Sequence, residues 1–254
     1  MKISKFIFGT GNFNFQRQKE RINFLSEAVN KGFTHFDTSP LYNYGLSEID
    51  IGYLYKNNKN ITVTTKVGIY PPEHSVPSIK NIFFRKLVGK IIPSYSKSLV
   101  NYKLDIANKS FERSLKRMNK ERIEILLIHD PCLNLLNTEE WKSWFESLKI
   151  QGKIINFGAT FSKKTEQEIP FKVIQSFDSL FIAEDKNLLH DKEKLRINFG
   201  YFFDLKRKNI KFDNSEMIKR ILKRNLSNPI IINTKDKNKL NLYSAHQKLI
   251  EINI

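Results

Sequence analysis

Four residues of this sequence, Asp37, Tyr42, Lys66 and His129, are of types that could share one proton-transfer step. A free tyrosine has a pKa near ~10 and holds its proton too tightly to exchange it well at neutral pH. A buried ammonium beside the phenol stabilises the phenolate, and a carboxylate keeps that ammonium charged and fixed. Two unit charges ~4 Å apart interact by ~4 kcal/mol at an effective dielectric of about 20, enough to lower the phenol by a unit or more. Tyr42 could then exchange a proton with a carbonyl or hydroxyl oxygen, while His129 donates a hydrogen bond that orients it. The companion step, hydride transfer, belongs to a nicotinamide.

Taken singly, each residue has a plainer reading. A strand-end Asp caps turns, a strand-end Lys is an exposed charge, a loop Tyr packs, and a His before Asp-Pro is a structural hydrogen-bonder. Their joint placement carries the argument. Asp37, Lys66 and His129 close three successive predicted strands, Thr34–Asp37, Ile61–Lys66 and Ile123–His129, and Tyr42 lies on the loop just past Asp37.

Five further runs read as strands: Ser4–Gly9, Ile154–Gly158, Lys172–Gln175, Leu195–Phe199 and Pro229–Asn233. Between most of them apolar residues recur at helical spacing. Helices are expected over Arg17–Asn30, Leu104–Met118, Glu139–Ile150 capped by Thr138, Asn214–Leu226 and Lys237–Glu251. The helices of the fifth and sixth units look very short.

Alternating strands and helices imply parallel pairing through right-handed crossovers. An open doubly wound sheet would normally carry G-x-G-x-x-G after a strand, yet Gly9-Thr10-Gly11 runs into Asn12-Phe13-Asn14. The expectation is a single (β/α)8 barrel, one domain over residues 1–254. All four residues then converge on the mouth formed by the strand C-termini.

A long insertion after the third strand breaks the rhythm between Lys66 and Leu104, and contains Pro71, Pro72, Pro77 and Pro93. Within it, Ile82, Phe83, Phe84, Leu87, Val88, Ile91 and Ile92 form an amphipathic pattern studded with Lys80, Arg85, Lys86 and Lys90. Its place after a strand puts it at the mouth. A lid is one reading; packing or an oligomer contact is the other.

Bulk properties narrow the class. The chain has 254 residues, 40% of them apolar, enough for a sizeable core. The formal net charge of +17 raises nucleic acid and membrane surfaces, but Lys and Arg are spread along the whole chain, so solvated lysines or a small anionic ligand are favoured. Cys132 is the sole cysteine, so no internal disulfide can form; just past His129, it is expected to be a packed thiol, lining the mouth being the other reading. No apolar run serves as a secretory signal or membrane span, and no His/Cys cluster has metal-ligand spacing. The expectation is a cytoplasmic protein with no metal and no membrane partner, nucleic acid being disfavoured. Trp141 and Trp144 read as core or interface.

The stretch Gly32-Phe33-Thr34-His35-Phe36-Asp37-Thr38-Ser39-Pro40-Leu41-Tyr42, followed by Gly45-Leu46-Ser47-Glu48 and Gly52, resembles the first signature of the aldo-keto reductase family. Ser110-Phe111-Glu112-Arg113-Ser114-Leu115-Lys116-Arg117-Met118, leading to Ile128-His129-Asp130-Pro131, resembles its second. The likeness is strong from Phe8 to about Gly158 and fades beyond. It implies a barrel that binds NADP or NAD across its strand C-termini and interconverts a small carbonyl compound and its alcohol. Tyr42 would be the acid/base, Lys66 and Asp37 its tuners, and His129 the group that orients the carbonyl.

By the same resemblance Gly9, Thr10 and Gly11 form the turn that approaches the cofactor by backbone. Thr160 and Gln175 match positions at the nicotinamide carboxamide. Thr234, Lys235 and Lys239 fall where the family grips the adenine-side phosphate. Lys235, Lys237 and Lys239 suit a 2′-phosphate electrostatically and so favour NADP over NAD; the plainer reading is three solvated lysines at a helix start. Phe161 stands where the family has Asn, and Leu242 and Tyr243 where it holds adenine with Glu and Asn. The family's N-terminal hairpin and C-terminal loop look missing or reduced. The basic insertion resembles bacterial relatives acting on sugars, so a sugar or sugar-derived carbonyl is expected. The alternative is a degenerate barrel that serves as a binding or regulatory protein.

Overall fold

The computed structural model describes residues 1–11, 13, 17–163, 170–181, 194–207 and 213–252. A short strand, β1 (Lys2–Ser4), leads into β2 (Phe6–Gly9), the first strand of a closed barrel. The next barrel strands are β3 (His35–Asp37) and β4 (Thr62–Val67). Outside the barrel, β5 (Ile69–Tyr70) pairs antiparallel with β6 (Leu99–Val100). The barrel is completed by β7 (Ile123–His129), β8 (Ile154–Phe161), β9 (Val173–Phe177), β10 (Leu195–Phe199) and β11 (Ile230–Ile232). Its order is β10-β11-β2-β3-β4-β7-β8-β9, and every paired neighbour is parallel. This is the (β/α)8 barrel that the strand spacing predicts.

Successive strand side chains point to opposite faces, so each strand feeds two cores. Ile7, Ile125, Leu127, Val173, Ile197 and Ile231 pack together inside the barrel. Phe6, Phe8, Leu126, Ile128 and Ile174 alternate with them and pack against the surrounding helices. Near-continuous apolar strands are what burial on both faces requires.

The helices are α1 (Gln18–Asn30), α2 (Leu46–Asn57), α3 (Ile79–Val88) inside the insertion, α4 (Leu104–Met118) and α5 (Thr138–Ile150). Then follow α6 (Tyr201–Arg207), α7 (Asn214–Arg224) and α8 (Lys237–Ser244). The cap of α5 is Asn137, whose side chain accepts from the Glu140 N–H, while Thr138 is already helical. The short helices expected in the fifth and sixth units fall on links whose residues 164–169 and 182–193 lie outside the described set.

The last predicted helix is half a helix. α8 stops at Ser244, and a twelfth strand, β12 (Leu249–Glu251), pairs antiparallel with β1. Gln247 makes the turn pay for itself by accepting from the Phe6 N–H and donating to the Phe6 carbonyl. The β1–β12 ladder sits at the base of the barrel, with Ile3 and Ile252 joining the interior core. That pairing joins the two ends of the sequence, a contact local periodicity cannot signal.

On the outside, α2 packs against α4 at Gly52, where an added Cβ would meet the Arg117 carbonyl oxygen at 2.3 Å and Met118 Cα at 3.1 Å. Glu48 ties the same helices to the barrel: it accepts from Thr65 Oγ1 at 2.7 Å and from Arg117 Nε at 2.6 Å. This contact fixes β4, and with it Lys66. We predict that Gly52→Ala, which presses a methyl group onto backbone, destabilises the chain by about 1–3 kcal/mol. Urea unfolding checks this; an unchanged midpoint would contradict the close packing.

Candidate active site

Asp37 ends β3 and Lys66 lies near the end of β4, adjacent strands in parallel register. Lys66 is wholly buried and Asp37 nearly so. The Lys66 ammonium donates to Asp37 Oδ1 at 2.7 Å, Asp37 Oδ2 at 2.8 Å and the Thr38 carbonyl at 2.9 Å. Desolvating two ions is costly, and such pairs persist when each charge is fully satisfied. Burial works against the ammonium, but Asp37 and then Tyr42 outweigh it, holding Lys66 above the ordinary lysine pKa. Lys66 therefore remains a cation.

The turn after β3 presents Tyr42. It is a tight 3-10 turn, Tyr42–Gly45, in which Asn43 and Tyr44 adopt left-handed backbone angles, φ 51° and 57°. L-residues avoid that region, so such a turn needs anchoring. Asn43 supplies it by donating to the Phe13 carbonyl at 3.1 Å and to Ser47 Oγ at 3.0 Å. The Lys66 nitrogen then lies 4.8 Å from the Tyr42 ring centroid.

The expected loosening of the phenol is only half observed. Enclosure pushes the Tyr42 pKa up, Lys66 pulls it down, and Asp37 pushes it up again, leaving it above the ordinary tyrosine value. Burial wins because the ammonium is shared with the carboxylate. Tyr42 is thus a neutral phenol at physiological pH, the form that donates a proton.

His129 ends β7, two strands from Asp37, with its ring 6.3 Å from that of Tyr42 and edge-on to it. Burial, then the Lys66 charge, lowers its pKa to about 3. A neutral imidazole has one N–H donor and one acceptor nitrogen. Its Nδ1 is buried with no hydrogen-bond partner. The backbone beneath is clamped by Tyr102, whose hydroxyl bonds the His129 carbonyl at 3.0 Å and the Asp130 carbonyl at 2.8 Å. Tyr102 in turn lies over Gly68, where a Cβ would meet its ring at 2.6 Å.

Asp37, Tyr42 and His129 open onto a cavity of about 1050 Å³ at the strand C-termini, with Lys66 behind them. Gly9, Gly11, Thr160, Gln175, Thr234, Lys235 and Lys239 also line it. Thr10 is the exception among the expected cofactor residues: its hydroxyl is turned away to the Asp37 carbonyl at 3.0 Å, so it holds β2 to β3. Lys237 pairs with Glu27 at 3.0 Å, leaving Lys235 and Lys239 as the lysines of this helix start that reach the cavity.

A dinucleotide fits the cavity's chemistry. Any side chain at Gly9 would collide with Asn233 Oδ1, at 2.4 Å, and one at Gly11 would press on the Tyr42 ring at 3.3 Å. Gly9 thus lets the β11 end pack against its backbone, Gly11 lets the Tyr42 ring lie close, and both line the cavity. Gln175 Oε1 is buried without a partner, an acceptor suited to a carboxamide N–H. An adjoining cavity of about 360 Å³ gathers Lys235 and Lys239 with Phe202 and Tyr243, so the residue replacing the family's adenine contact forms an aromatic wall. Leu242 packs against the core instead.

Some lining residues escaped the sequence reading. Phe199, Tyr201, Phe202 and Phe203 form one wall, and Asn233 and Arg207 also face the cavity. The run Phe199-Gly200-Tyr201-Phe202-Phe203 immediately after a strand was the available signal. Cys132, expected to be packed, is exposed. Trp141 is core, as expected. Among the described residues no group of His, Cys, Asp and Glu could hold a metal ion.

The model of the aldo/keto reductase family matches residues 5–251, well past the point where the signature motifs fade. No curated protein matches the sequence. Among solved structures the chain is similar to a candidate aldo-keto reductase of Pseudomonas aeruginosa, with TM-score 0.72 and 19% identity over 96% of this chain and 89% of that one. It is similar to a glycerol dehydrogenase of Gluconobacter oxydans, with TM-score 0.72 and 16% identity over 95% and 86% of the two chains. The holo form of an aldo-keto reductase from Bacillus halodurans gives TM-score 0.72 and 16% identity over 96% and 87%.

With His129 near 3 and Tyr42 above its ordinary value, neither group changes charge at neutral pH. We predict that carbonyl turnover shows no His129 ionisation between pH ~5 and ~8, although a free imidazole titrates near ~6.5. A pH–rate inflection near neutrality that disappears in His129→Gln would contradict the site as described.

Proposed function

Because the chain belongs to the aldo/keto reductase family, whose members are NAD(P)H-dependent oxidoreductases acting on small carbonyl compounds, we propose that Asp37, Tyr42, Lys66 and His129 carry out its carbonyl–alcohol interconversion. The observation that supports this most directly is the Lys66 ammonium, held by Asp37 and lying 4.8 Å from the Tyr42 ring. A bound nicotinamide supplies or accepts the hydride at the substrate carbon.

The protein's own part concerns the oxygen. His129 donates its single N–H to the carbonyl oxygen and fixes its direction toward Tyr42. As negative charge develops on that oxygen, Tyr42 gives it the phenolic proton, and the C–O bond becomes an alcohol. The transient phenolate is stabilised by Lys66 until solvent returns a proton. In oxidation the same proton moves the other way. Preorganised donors of this kind lower the barrier because they need not reorient during the reaction.

Gly9, Gly11, Thr160, Gln175, Thr234, Lys235 and Lys239 are proposed to hold the cofactor, with Gln175 Oε1 accepting from the carboxamide. Thr10 supports them through β3. NADP is favoured over NAD because Lys235 and Lys239 both line the adjoining cavity. A polar sugar or sugar-derived carbonyl is the proposed substrate; the similar Gluconobacter enzyme is named for glycerol, a polyol. The chain is proposed to act as one cytoplasmic domain.

Replacing the acid tests this reading. Tyr42→Phe should lower kcat by about 10²–10⁴-fold, the usual worth of a positioned acid, while NADPH affinity measured by fluorescence stays within about twofold. Undiminished turnover in that variant would refute the assignment.

A further inference from the structure

The insertion contains a helix, α3, whose outer side exposes large apolar residues although Ile82 on its inner side is already buried. In α3 and the turn that follows, Lys80, Phe83, Phe84, Leu87, Lys90 and Ile91 recur at three- and four-residue spacing and are exposed. Phe83 is 70% and Ile91 85% exposed. The opposite side meets the protein through Ile82, which is buried, while Arg85 bonds the Tyr95 carbonyl of the same insertion at 3.0 Å in an exposed contact. Ile92, Tyr95, Leu99 and Val100, later in the same insertion, are also exposed large apolar residues. Single exposed apolar side chains are ordinary, but contiguous ones mark an interaction surface.

Between Glu73 and Asp105 the segment itself carries charge of one sign. From His74 to Leu104 the sequence holds Lys80, Arg85, Lys86, Lys90, Lys97 and Lys103 and no Asp or Glu. Lys and Arg are hardly denser here than along the rest of the chain; what sets the segment apart is that no acid is interspersed with them. A second copy of the chain is a poor occupant, because a two-fold interface centred on α3 would set Lys80, Lys86 and Lys90 against their own copies, and the segment itself contributes no acid to pair them. A protein partner's interface core would need a shaped recess for convex side chains such as Phe83 and Ile91, whereas a bilayer admits apolar groups without shape complementarity. Basic flanks beside an apolar helical face suit the interface of an anionic membrane.

We propose that the outer face of α3 and its following turn is a peripheral docking site for an anionic lipid bilayer. Phe83, Phe84, Leu87 and Ile91 enter the interface while Lys80, Lys86 and Lys90 meet the headgroups. No helix among the described residues is long and apolar enough to cross a membrane, so the contact is superficial and reversible. The proposal is independent of the catalytic reading, since it uses none of the residues in the cavity.

Co-sedimentation of the full chain with vesicles tests it. The chain should bind phosphatidylcholine vesicles containing phosphatidylglycerol at ~0.1 M salt and lose most of that binding at ~1 M salt. Pure phosphatidylcholine should retain little. A Phe83→Ser/Phe84→Ser/Leu87→Ser variant and, separately, a Lys80→Glu/Lys86→Glu/Lys90→Glu variant should each bind anionic vesicles roughly tenfold more weakly or worse. Both should keep NADPH affinity and thermal unfolding like the parent, which shows the fold intact. Absence of vesicle binding, equal binding to neutral lipid, or serine variants that bind as well as the parent would overturn the proposal. So would lipid-free self-association, seen by ultracentrifugation and abolished by the serine variant, if vesicles are not bound.

Discussion

A buried cation shared between a carboxylate and a phenol governs this structure. Lys66 can stay charged with no exposure only because Asp37 grips it with both oxygens and the Thr38 carbonyl adds a third contact. That requirement fixes β3 against β4 at their C-terminal ends. It also defines the electrostatics of the mouth, since the same charge lowers His129 and draws on Tyr42. Removing the carboxylate would leave an unpaired ion in the barrel, so structure and chemistry share one constraint.

Around that pair the chain uses several devices to hold the mouth in register. Glu48 links β4 to α4 through Thr65 and Arg117. Asn43 pins the strained turn that presents Tyr42. Tyr102, at the far end of the insertion, fastens the backbone of His129. The insertion thus has two distinct roles along its length: its C-terminal end braces the site, while α3 exposes apolar and basic groups to the outside.

Much of this was legible in the sequence, for physical reasons that differ by region. The eight barrel strands stood out as short apolar runs because both their faces are buried, and Asp37, Lys66 and His129 stood out because polar groups ending such runs need an explanation. The net direction of the Tyr42 shift was not legible, since it depends on how completely the hydroxyl is enclosed and how far Asp37 claims the ammonium. Nor was the β1–β12 ladder, whose partners lie at opposite ends of the sequence. Helical spacing carried the prediction on to Glu251, whereas Gln247 ends the run by bonding Phe6. For Thr10 the sequence implies a backbone approach to the cofactor but does not show the side to which its hydroxyl turns, which is the Asp37 carbonyl. The aromatic wall from Phe199 to Phe203 was visible as composition; its facing the cavity was not.

The cation of Lys66 acts on the phenol of Tyr42 against the effect of burial. Titration of ¹³Cζ-labelled tyrosine by NMR, with Tyr42 assigned by its loss in Tyr42→Phe, measures this directly. Tyr42 should ionise above the ordinary tyrosine value in the parent protein and higher still in a folded Lys66→Met variant. An unchanged or lower Tyr42 ionisation in that variant would contradict it.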